Sequence, residues 1–245
     1  MKAILYIGHG TRSQNGLNEV CSFVKRVRNR VNVPIQELSF LELADPNIET
    51  GFSRCVSRGA TEIEIIPLFL LEADHINKDI PQVLTELRSR FPSVKVRLQK
   101  PFGVHDRMLD GLAEAIKSCV QKITPQDYYL IVGRGSSDPL VPSAFKKISS
   151  GIQERIHTAH ISVSYLAAAE PRMVDSLDQI IAEKRYERVV VIPYLLFPGL
   201  LLSKIEKEAQ RRQKDGQNIL HLDCLSSYPF LEKIIVERAS EEFCF

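Results

Sequence analysis

Short apolar runs alternate with segments of helical periodicity along the chain. The run from Ala3 to Ile7 is aliphatic and uncharged, which is typical of a strand buried on both faces of a parallel sheet. Helical spacing follows over 13–31, with Ser13 as a candidate N-cap, and a second strand is predicted over 33–41. Strands joined by helices of this length pair in parallel through right-handed crossovers. The pattern therefore predicts a doubly wound α/β fold.

The same alternation continues beyond the second strand. Asp45 is predicted to cap the second helix, with Pro46 as its first residue and Gly59 as its stop. The third strand, over 62–71, contains Pro67, which has no amide hydrogen for the ladder and so marks a bulge, an irregular pairing or a strand end. Further elements are predicted as helices over 77–91 and 106–123 and a strand over 94–98.

The second half of the chain repeats the first. Three strand-and-loop segments recur in the same order, 125 or 126 residues apart. They pair Gly8-His9-Gly10 with Gly133-Arg134-Gly135, Asp45-Pro46 with Glu170-Pro171, and the strand around Pro67 with the strand around Pro193. The sequence therefore predicts two tandem flavodoxin-like domains, 1–123 and 124–245, each with a parallel four-stranded sheet and related by internal duplication.

Composition excludes several classes of protein. The 245 residues are 44% hydrophobic with a net charge of +2, which supports a real core and is too balanced for a general nucleic-acid binder. No apolar stretch approaches the length of a membrane span, so we expect a cytoplasmic protein without a membrane partner. The five cysteines never form a Cys-x-x-Cys spacing, which argues against a disulfide framework, a structural zinc site or an iron–sulfur cluster.

Three chemically active side chains differ between the repeats. His9, Glu42 and His75 follow the first three predicted strands, whereas the second repeat has Arg134, Ala167 and a leucine. In a flavodoxin-like order the first strand lies between the second and third, so these three strand ends converge on one edge of the sheet. Two imidazoles and a carboxylate suit a divalent first-row metal with open positions, and they also suit proton transfer. The three residues are therefore predicted to form one functional group in the N-terminal half.

Three motifs resemble those of the class II chelatases that act on sirohydrochlorin. The resemblance to the ferrochelatases of bacilli is greater than the resemblance to the cobaltochelatases. They are Gly8-His9-Gly10-Thr11-Arg12, Phe40-Leu41-Glu42-Leu43 before Asp45-Pro46, and Pro67-Leu68-Phe69-Leu70-Leu71 running into Asp74-His75. The resemblance covers nearly the whole chain. It implies insertion of a divalent metal into a tetrapyrrole without ATP, and no Gly-x-x-x-x-Gly-Lys-Ser/Thr loop occurs. It implies Fe²⁺ as the substrate metal, with Co²⁺ or Ni²⁺ as substitutes, and no permanently bound cofactor.

The resemblance also implies roles for individual residues. His9 and His75 would bind the incoming metal, His9 would accept a pyrrole proton, and Glu42 would handle the metal or take the second proton. Arg12 and Arg134 are candidates to pair with the many carboxylates of sirohydrochlorin. The macrocycle would lie against the segment at the end of the third strand and against one residue after the second strand, namely Leu70, Leu71, Glu72, Ala73 and Asp74, and Asp45. The chain resembles a fused dimer of half-length units, so we expect a monomer.

Other functions stay open at this point. The nearest is a cobaltochelatase, although the chain lacks the His-rich tail and the Cys-x-x-Cys motif of some cobalt-inserting relatives, which favours iron. A histidine phosphatase would have an arginine where Gly8 precedes His9. A dinucleotide-binding oxidoreductase would have the third glycine of Gly-x-Gly-x-x-Gly at Ser13. A carrier that binds a metal or tetrapyrrole without catalysis would have the same sequence features as a chelatase.

Overall fold

The computed structural model describes residues 1–72 and 75–240, without the side chain of His75. Strands and helices alternate through these residues. The strands are β1 (Lys2–Gly8), β2 (Ile35–Phe40), β3 (Glu62–Pro67), β4 (Lys95–Leu98), β5 (Asp127–Gly133), β6 (Ile161–Tyr165), β7 (Arg188–Pro193) and β8 (Ile219–His221). The α-helices are α1 (Gln14–Arg28), α2 (Ile48–Ser57), α3 (Ile80–Arg90), α4 (Asp106–Val120), α5 (Leu140–Ile156), α6 (Met173–Ala182), α7 (Leu200–Lys214) and α8 (Pro229–Ser240). A π-helix covers His75–Asp79, and a 3₁₀-helix covers Leu225–Ser227.

Each repeat forms one parallel four-stranded sheet. The strand orders are β2-β1-β3-β4 and β6-β5-β7-β8. In the first sheet Leu5 of β1 pairs with Glu37 of β2 on one side and with Ile65 of β3 on the other. The predicted doubly wound, flavodoxin-like order is confirmed, and it places the carboxyl ends of the first three strands at one edge of the sheet.

The central strand of each sheet lies in the middle of a hydrophobic core. Residues 3–7 of β1 have no exposed surface, and every second one, from Ala3 to Ile7, shares a buried cluster with Phe52 of α2 and Leu84 of α3. The core of the second sheet is also built from strand and helix side chains, and it includes Leu130 of β5 and Leu177 of α6. Aliphatic strands buried on both faces are what the sequence pattern predicted. No helix within the described ranges is long and apolar enough to cross a membrane.

Several predicted boundaries are confirmed. The hydroxyl of Ser13 caps α1 by accepting a hydrogen bond from the amide of Gly16 at 3.4 Å. Gly59 has a φ of +88° just after α2, as expected of a glycine that ends a helix. Pro67 is the last residue of β3, so of the three alternatives it marks a strand end.

The prediction that Asp45 caps α2 is wrong. Asn47 is the cap, because its side-chain carbonyl accepts a hydrogen bond from the amide of Thr50 at 2.9 Å. The amide of Phe40 donates to the carbonyl of Pro46 at 2.9 Å, and this bond keeps the chain extended as far as Asn47. A sheet-like contact therefore delays the helix by two residues.

The compact units of the chain differ from its sequence repeats. One unit comprises 1–103 together with the chain from Leu231 onward, and the other comprises 104–230. The boundary between 123 and 124 stays a prediction for the sequence repeats, and the last helix of each repeat belongs to the compact unit of the other. Packing accompanies this assignment, since α4 lies against α5 of the second unit and α8 buries the side chains of Leu231, Ile234 and Ile235.

Polar contacts within each unit show this assignment of the helices. In the second unit the guanidinium of Arg155 on α5 donates to the carboxylates of Asp106 and Asp110 on α4, at 2.7 and 2.6 Å. In the first unit the ammonium of Lys2 on β1 donates to the carbonyl of Ala239 on α8 at 3.2 Å. Each terminal helix is thus bound to its unit by side chains as well as by apolar packing.

A buried ion pair joins the first residues of β5 and β7. The guanidinium of Arg188 donates to both oxygens of the Asp127 carboxylate, at 2.8 and 2.7 Å, and the Asp127 side chain is 2% exposed. The amide of Thr124 also donates to Asp127. Burial alone would raise the pKa of this carboxyl, but the hydrogen bonds from Arg188 and Thr124 outweigh it and lower the pKa.

We expect Asp127→Asn to lower the free energy of unfolding at pH 7 by about 3 kcal/mol, because Arg188 loses its buried counter-charge. A lowered folded-state pKa stabilises the protein above the unfolded pKa of about 3.9, and this contribution disappears as the pH falls through the folded value. The difference between wild type and variant should therefore shrink below about pH 4. Urea unfolding of both proteins at pH 7 and at low pH measures this difference in the free energy of unfolding. An equal difference at the two pH values would contradict the lowered pKa of Asp127.

Candidate functional site

Two backbone hydrogen bonds continue the pairing of β1 and β2 beyond the ends of the strands. The amide of Leu41 donates to the carbonyl of Gly8 at 2.9 Å, and the amide of Glu42 donates to the carbonyl of His9 at 3.0 Å. The main chain therefore holds His9 and Glu42 side by side at the carboxyl edge of the first sheet. This is the edge at which ligands bind in open α/β sheets.

The side chains of His9 and Glu42 face each other. Nε2 of His9 lies 3.5 Å from Oε1 of Glu42, and the two side chains are 32% and 49% exposed. The ring of Phe69, which follows β3, lies beside the imidazole with a centroid distance of 6.0 Å and a tilt of 44°. A neutral imidazole can ligate a metal or accept a proton, and a neighbouring carboxylate stabilises the protonated ring. Both side chains are partly exposed at this edge of the sheet, whereas the Nε2 atom of His9 is itself buried.

Gly10 makes this approach of the two loops possible. Its φ is +96°, a region that residues with a Cβ rarely adopt. A Cβ built at Gly10 would lie 1.7 Å from the carbonyl oxygen of Glu42. Any larger residue would have to push the loop of Glu42 away from that of His9.

His75 is placed by its backbone alone. It is the first residue of the π-helix that follows β3, and π-helical turns occur frequently at functional sites. Its side chain, and the predicted ring-contacting residues Ala73 and Asp74, lie outside the described residues. Among the side chains that the structure describes, no three His, Cys, Asp or Glu residues are grouped as a metal site. The structure thus brings together two members of the predicted trio.

The other predicted contact residues lie in loops. Leu70 and Leu71 are half-buried just after β3, and Glu72 is exposed. Asp45 and Arg12 are exposed in the loops that follow β2 and β1. In the second unit, Arg134 is exposed after β5.

Sequence reasoning missed the segment that supports the loop after β3. The amides of Phe102 and Gly103 donate to the carbonyls of Phe69 and Leu70, at 2.9 and 2.8 Å. The available signal was Pro101 followed by Phe102 and Gly103, a combination typical of a tight connection directly after a strand. These bonds fix the backbone that carries Phe69 beside His9.

The second repeat has the same loop backbone as the first but different side chains at the positions of His9 and Glu42. The amides of Leu166 and Ala167 donate to the carbonyls of Gly133 and Arg134, at 3.0 and 2.8 Å. A Cβ at Gly135, where φ is +89°, would lie 1.8 Å from the carbonyl oxygen of Ala167. The turn geometry is therefore common to both repeats, whereas the imidazole and the carboxylate occur in the first alone.

Known proteins match this chain along nearly its whole length. The sirohydrochlorin ferrochelatase of Priestia megaterium is 38% identical over 96% of this chain and 88% of its own. The sirohydrochlorin cobaltochelatase of the same organism is 28% identical over 98% of this chain and 80% of its own. The structure of SirB from Bacillus subtilis with Fe³⁺ aligns with a TM-score of 0.84 and 33% identity, over 97% of this chain and 93% of that one.

A family model supports the same relationship. The CbiX model matches residues 3–119 and matches again over 128–242. The two matches coincide with the two sequence repeats and together cover most of the chain. The chain therefore belongs to the CbiX family.

Proposed function

We propose that the chain is a sirohydrochlorin ferrochelatase, a lyase that inserts Fe²⁺ into sirohydrochlorin to give sirohaem without ATP. The observation that carries the proposal is the pair formed by His9 and Glu42, with Nε2 and Oε1 3.5 Å apart at the ligand-binding edge of the first sheet. The greater identity to a ferrochelatase than to a cobaltochelatase favours iron over cobalt.

Metal insertion releases two protons from the pyrrole nitrogens, because each must lose its proton before it can ligate. We assign the first proton to the neutral imidazole of His9. The adjacent carboxylate of Glu42 stabilises the resulting imidazolium, and it is our candidate acceptor for the second proton. The incoming metal is held by His9 and His75 with help from Glu42, and its transfer to the macrocycle frees the ring nitrogen of His9 that takes the proton. Imidazole and carboxylate ligands suit a divalent first-row metal, and such a small ligand set leaves the ion free to be handed over.

The macrocycle is assigned to the loops around this pair. Phe69, Leu70 and Leu71 supply apolar surface against the ring, since Phe69 already lies against the imidazole of His9. The remaining predicted contact residues surround this surface in our proposal, namely Asp45, Glu72, Ala73 and Asp74. Arg12 and Arg134 would pair with the substrate carboxylates through their guanidinium groups.

We also propose that the protein acts as a monomer, because one chain already contains two copies of the family's repeat. The first repeat, 1–123, supplies the reactive residues, and the second repeat, 124–245, is a degenerate copy. Gel filtration at assay concentrations tests the oligomeric state.

His9→Ala should fold normally and lower the rate of metal insertion at least about a hundredfold, because it removes both a metal ligand and a proton acceptor. The assay mixes purified protein, sirohydrochlorin and Fe²⁺ under anaerobic conditions and follows the absorbance of the macrocycle. Co²⁺ in a parallel assay ranks the metals.

The control for this variant is His157→Asn, which replaces an exposed histidine whose φ of +53° asparagine tolerates. It should insert metal at the wild-type rate. If the wild-type protein binds sirohydrochlorin without accelerating insertion over the uncatalysed reaction, the protein is a carrier and the ferrochelatase proposal fails.

Gly10→Ala should abolish insertion, because its Cβ would separate the loops that hold His9 and Glu42. The matched control is Gly135→Ala, which meets the same carbonyl clash and the same positive φ in the second unit. Both variants should lose a similar free energy of unfolding, about 1–3 kcal/mol for the strained backbone. Equal loss of insertion in both would indicate general destabilisation and contradict the role of Gly10.

A further inference from the structure

The unit that carries His9 contains a fully buried carboxylate, Glu64 on β3. Its Oε1 accepts a hydrogen bond from the side-chain amide of Gln99 at 2.6 Å and lies 3.3 Å from Nε of Arg97. Its Oε2 lies 3.4 Å from the ammonium of Lys2. A buried charge costs free energy unless polar partners surround it, so this arrangement calls for a reason beyond packing.

The second repeat has apolar side chains at the positions of Glu64 and Gln99. Val190 corresponds to Glu64 in the register of the sheet. Leu222 corresponds to Gln99, because each donates its backbone amide to the strand before it, at 3.0 and 2.9 Å. The fold is therefore stable without the polar group, which the first repeat alone retains.

Gln99 connects the buried carboxylate to α8. Its side-chain amide donates to the carbonyl of Arg238 at 3.1 Å. The guanidinium of Arg238 in turn donates to three successive carbonyls, those of Lys100, Pro101 and Phe102, at 3.0, 3.1 and 3.2 Å. It also lies over the ring of Phe102, 5.5 Å from the centroid. Only a planar group with several N–H donors can bind a stretch of backbone in this way.

The segment held by Arg238 supports the site. Phe102 and Gly103 donate their amides to the carbonyls of Phe69 and Leu70, and the ring of Phe69 lies against His9. A short series of contacts thus leads from the guanidinium of Arg238, through the backbone at Phe102 and Phe69, to the imidazole of His9.

The second unit has the corresponding bonds without the arginine. Leu225 and Ser226 donate their amides to the carbonyls of Leu195 and Leu196, at 2.8 and 2.9 Å. Phe102 and Leu225 stand 123 residues apart, and the same separation places Ala115 of α4 at the position of Arg238. The guanidinium clamp is therefore a feature of the unit that carries the reactive residues.

We propose that Arg238 is a positioning residue for metal insertion. It holds the backbone of 100–102 against the loop after β3 and so fixes Phe69 and Leu70 beside His9. It acts through this loop and touches neither the metal nor the macrocycle. The proposal rests on the ferrochelatase function, because the geometry at His9 is what limits the chemical step. A displacement of about 1 Å at such a site can cost a hundredfold in rate.

The test compares Arg238→Ala, which introduces the residue found at this position of the second unit, with Arg238→Lys and with the control Arg26→Ala. Arg26 pairs with Glu232 at 2.5 Å, so the control removes another polar attachment of α8 and leaves the clamp intact. We expect Arg238→Ala to lower kcat at least tenfold with little change in KM, Arg238→Lys to lower it less, and Arg26→Ala to leave it unchanged.

Amide hydrogen exchange gives a readout that does not depend on activity. The amides of Phe102 and Gly103 should exchange at least tenfold faster in Arg238→Ala. The amide of Leu68, which donates to the carbonyl of Ile7 at 2.8 Å, should keep its wild-type rate. If Arg238→Ala does not fold, Arg238→Lys becomes the test, because the single ammonium nitrogen cannot reproduce the planar fork whose two nitrogens reach the carbonyls of Lys100, Pro101 and Phe102.

Three results would overturn the proposal. They are an unchanged kcat in Arg238→Ala and Arg238→Lys, an equal loss of kcat in Arg26→Ala, and wild-type exchange at Phe102 and Gly103. Absence of insertion by the wild-type protein would instead reject the ferrochelatase function, and the exchange rates would still decide whether Arg238 holds the loop.

Discussion

The candidate site depends on two backbone hydrogen bonds that extend the β1–β2 ladder past the strand ends. Because the amides of Leu41 and Glu42 and the carbonyls of Gly8 and His9 make them, the approach of the two loops does not require particular reactive side chains. The second repeat demonstrates this, since it keeps the same bonds with arginine and alanine in place. The backbone geometry is therefore independent of the reactive side chains. His9 and Glu42 occupy positions that the main-chain hydrogen bonds bring together in either repeat.

The two repeats also differ in what lies beneath the site. The first unit keeps a buried carboxylate, Glu64, with polar and cationic neighbours, and the second has Val190 in its place. Replacing a buried ion pair by apolar residues is often neutral or stabilising, so a fold under selection for stability alone gains little from Glu64. Local departures from good packing are expected at functional sites. The polar network around Glu64 fits this expectation because it leads to the clamp on the loop beside His9.

Sequence reasoning predicted the features that depend on local pattern. Alternating periodicity predicted the sheet order, and the strand-end rule placed His9 next to Glu42. It failed at Asp45, because the helix start is delayed by a hydrogen bond from Phe40, a residue of the preceding strand. The contacts of Arg238 were equally out of reach, since they join residues 136 or more positions apart in sequence. The sequence repeats also suggest that each compact unit contains its own last helix, whereas α4 belongs to the second unit and α8 to the first.

The membership of α8 in the first unit has a consequence for synthesis of the chain. The strands that carry His9 and Glu42 precede the second repeat along the chain, but α8, a helix of the same unit, begins at Pro229. The unit is therefore complete only after most of the second repeat has been translated. A nascent chain stalled before Leu231 would display the reactive loops on an incomplete unit. The unit that holds His9 and Glu42 is thus completed by a segment translated well after these two residues.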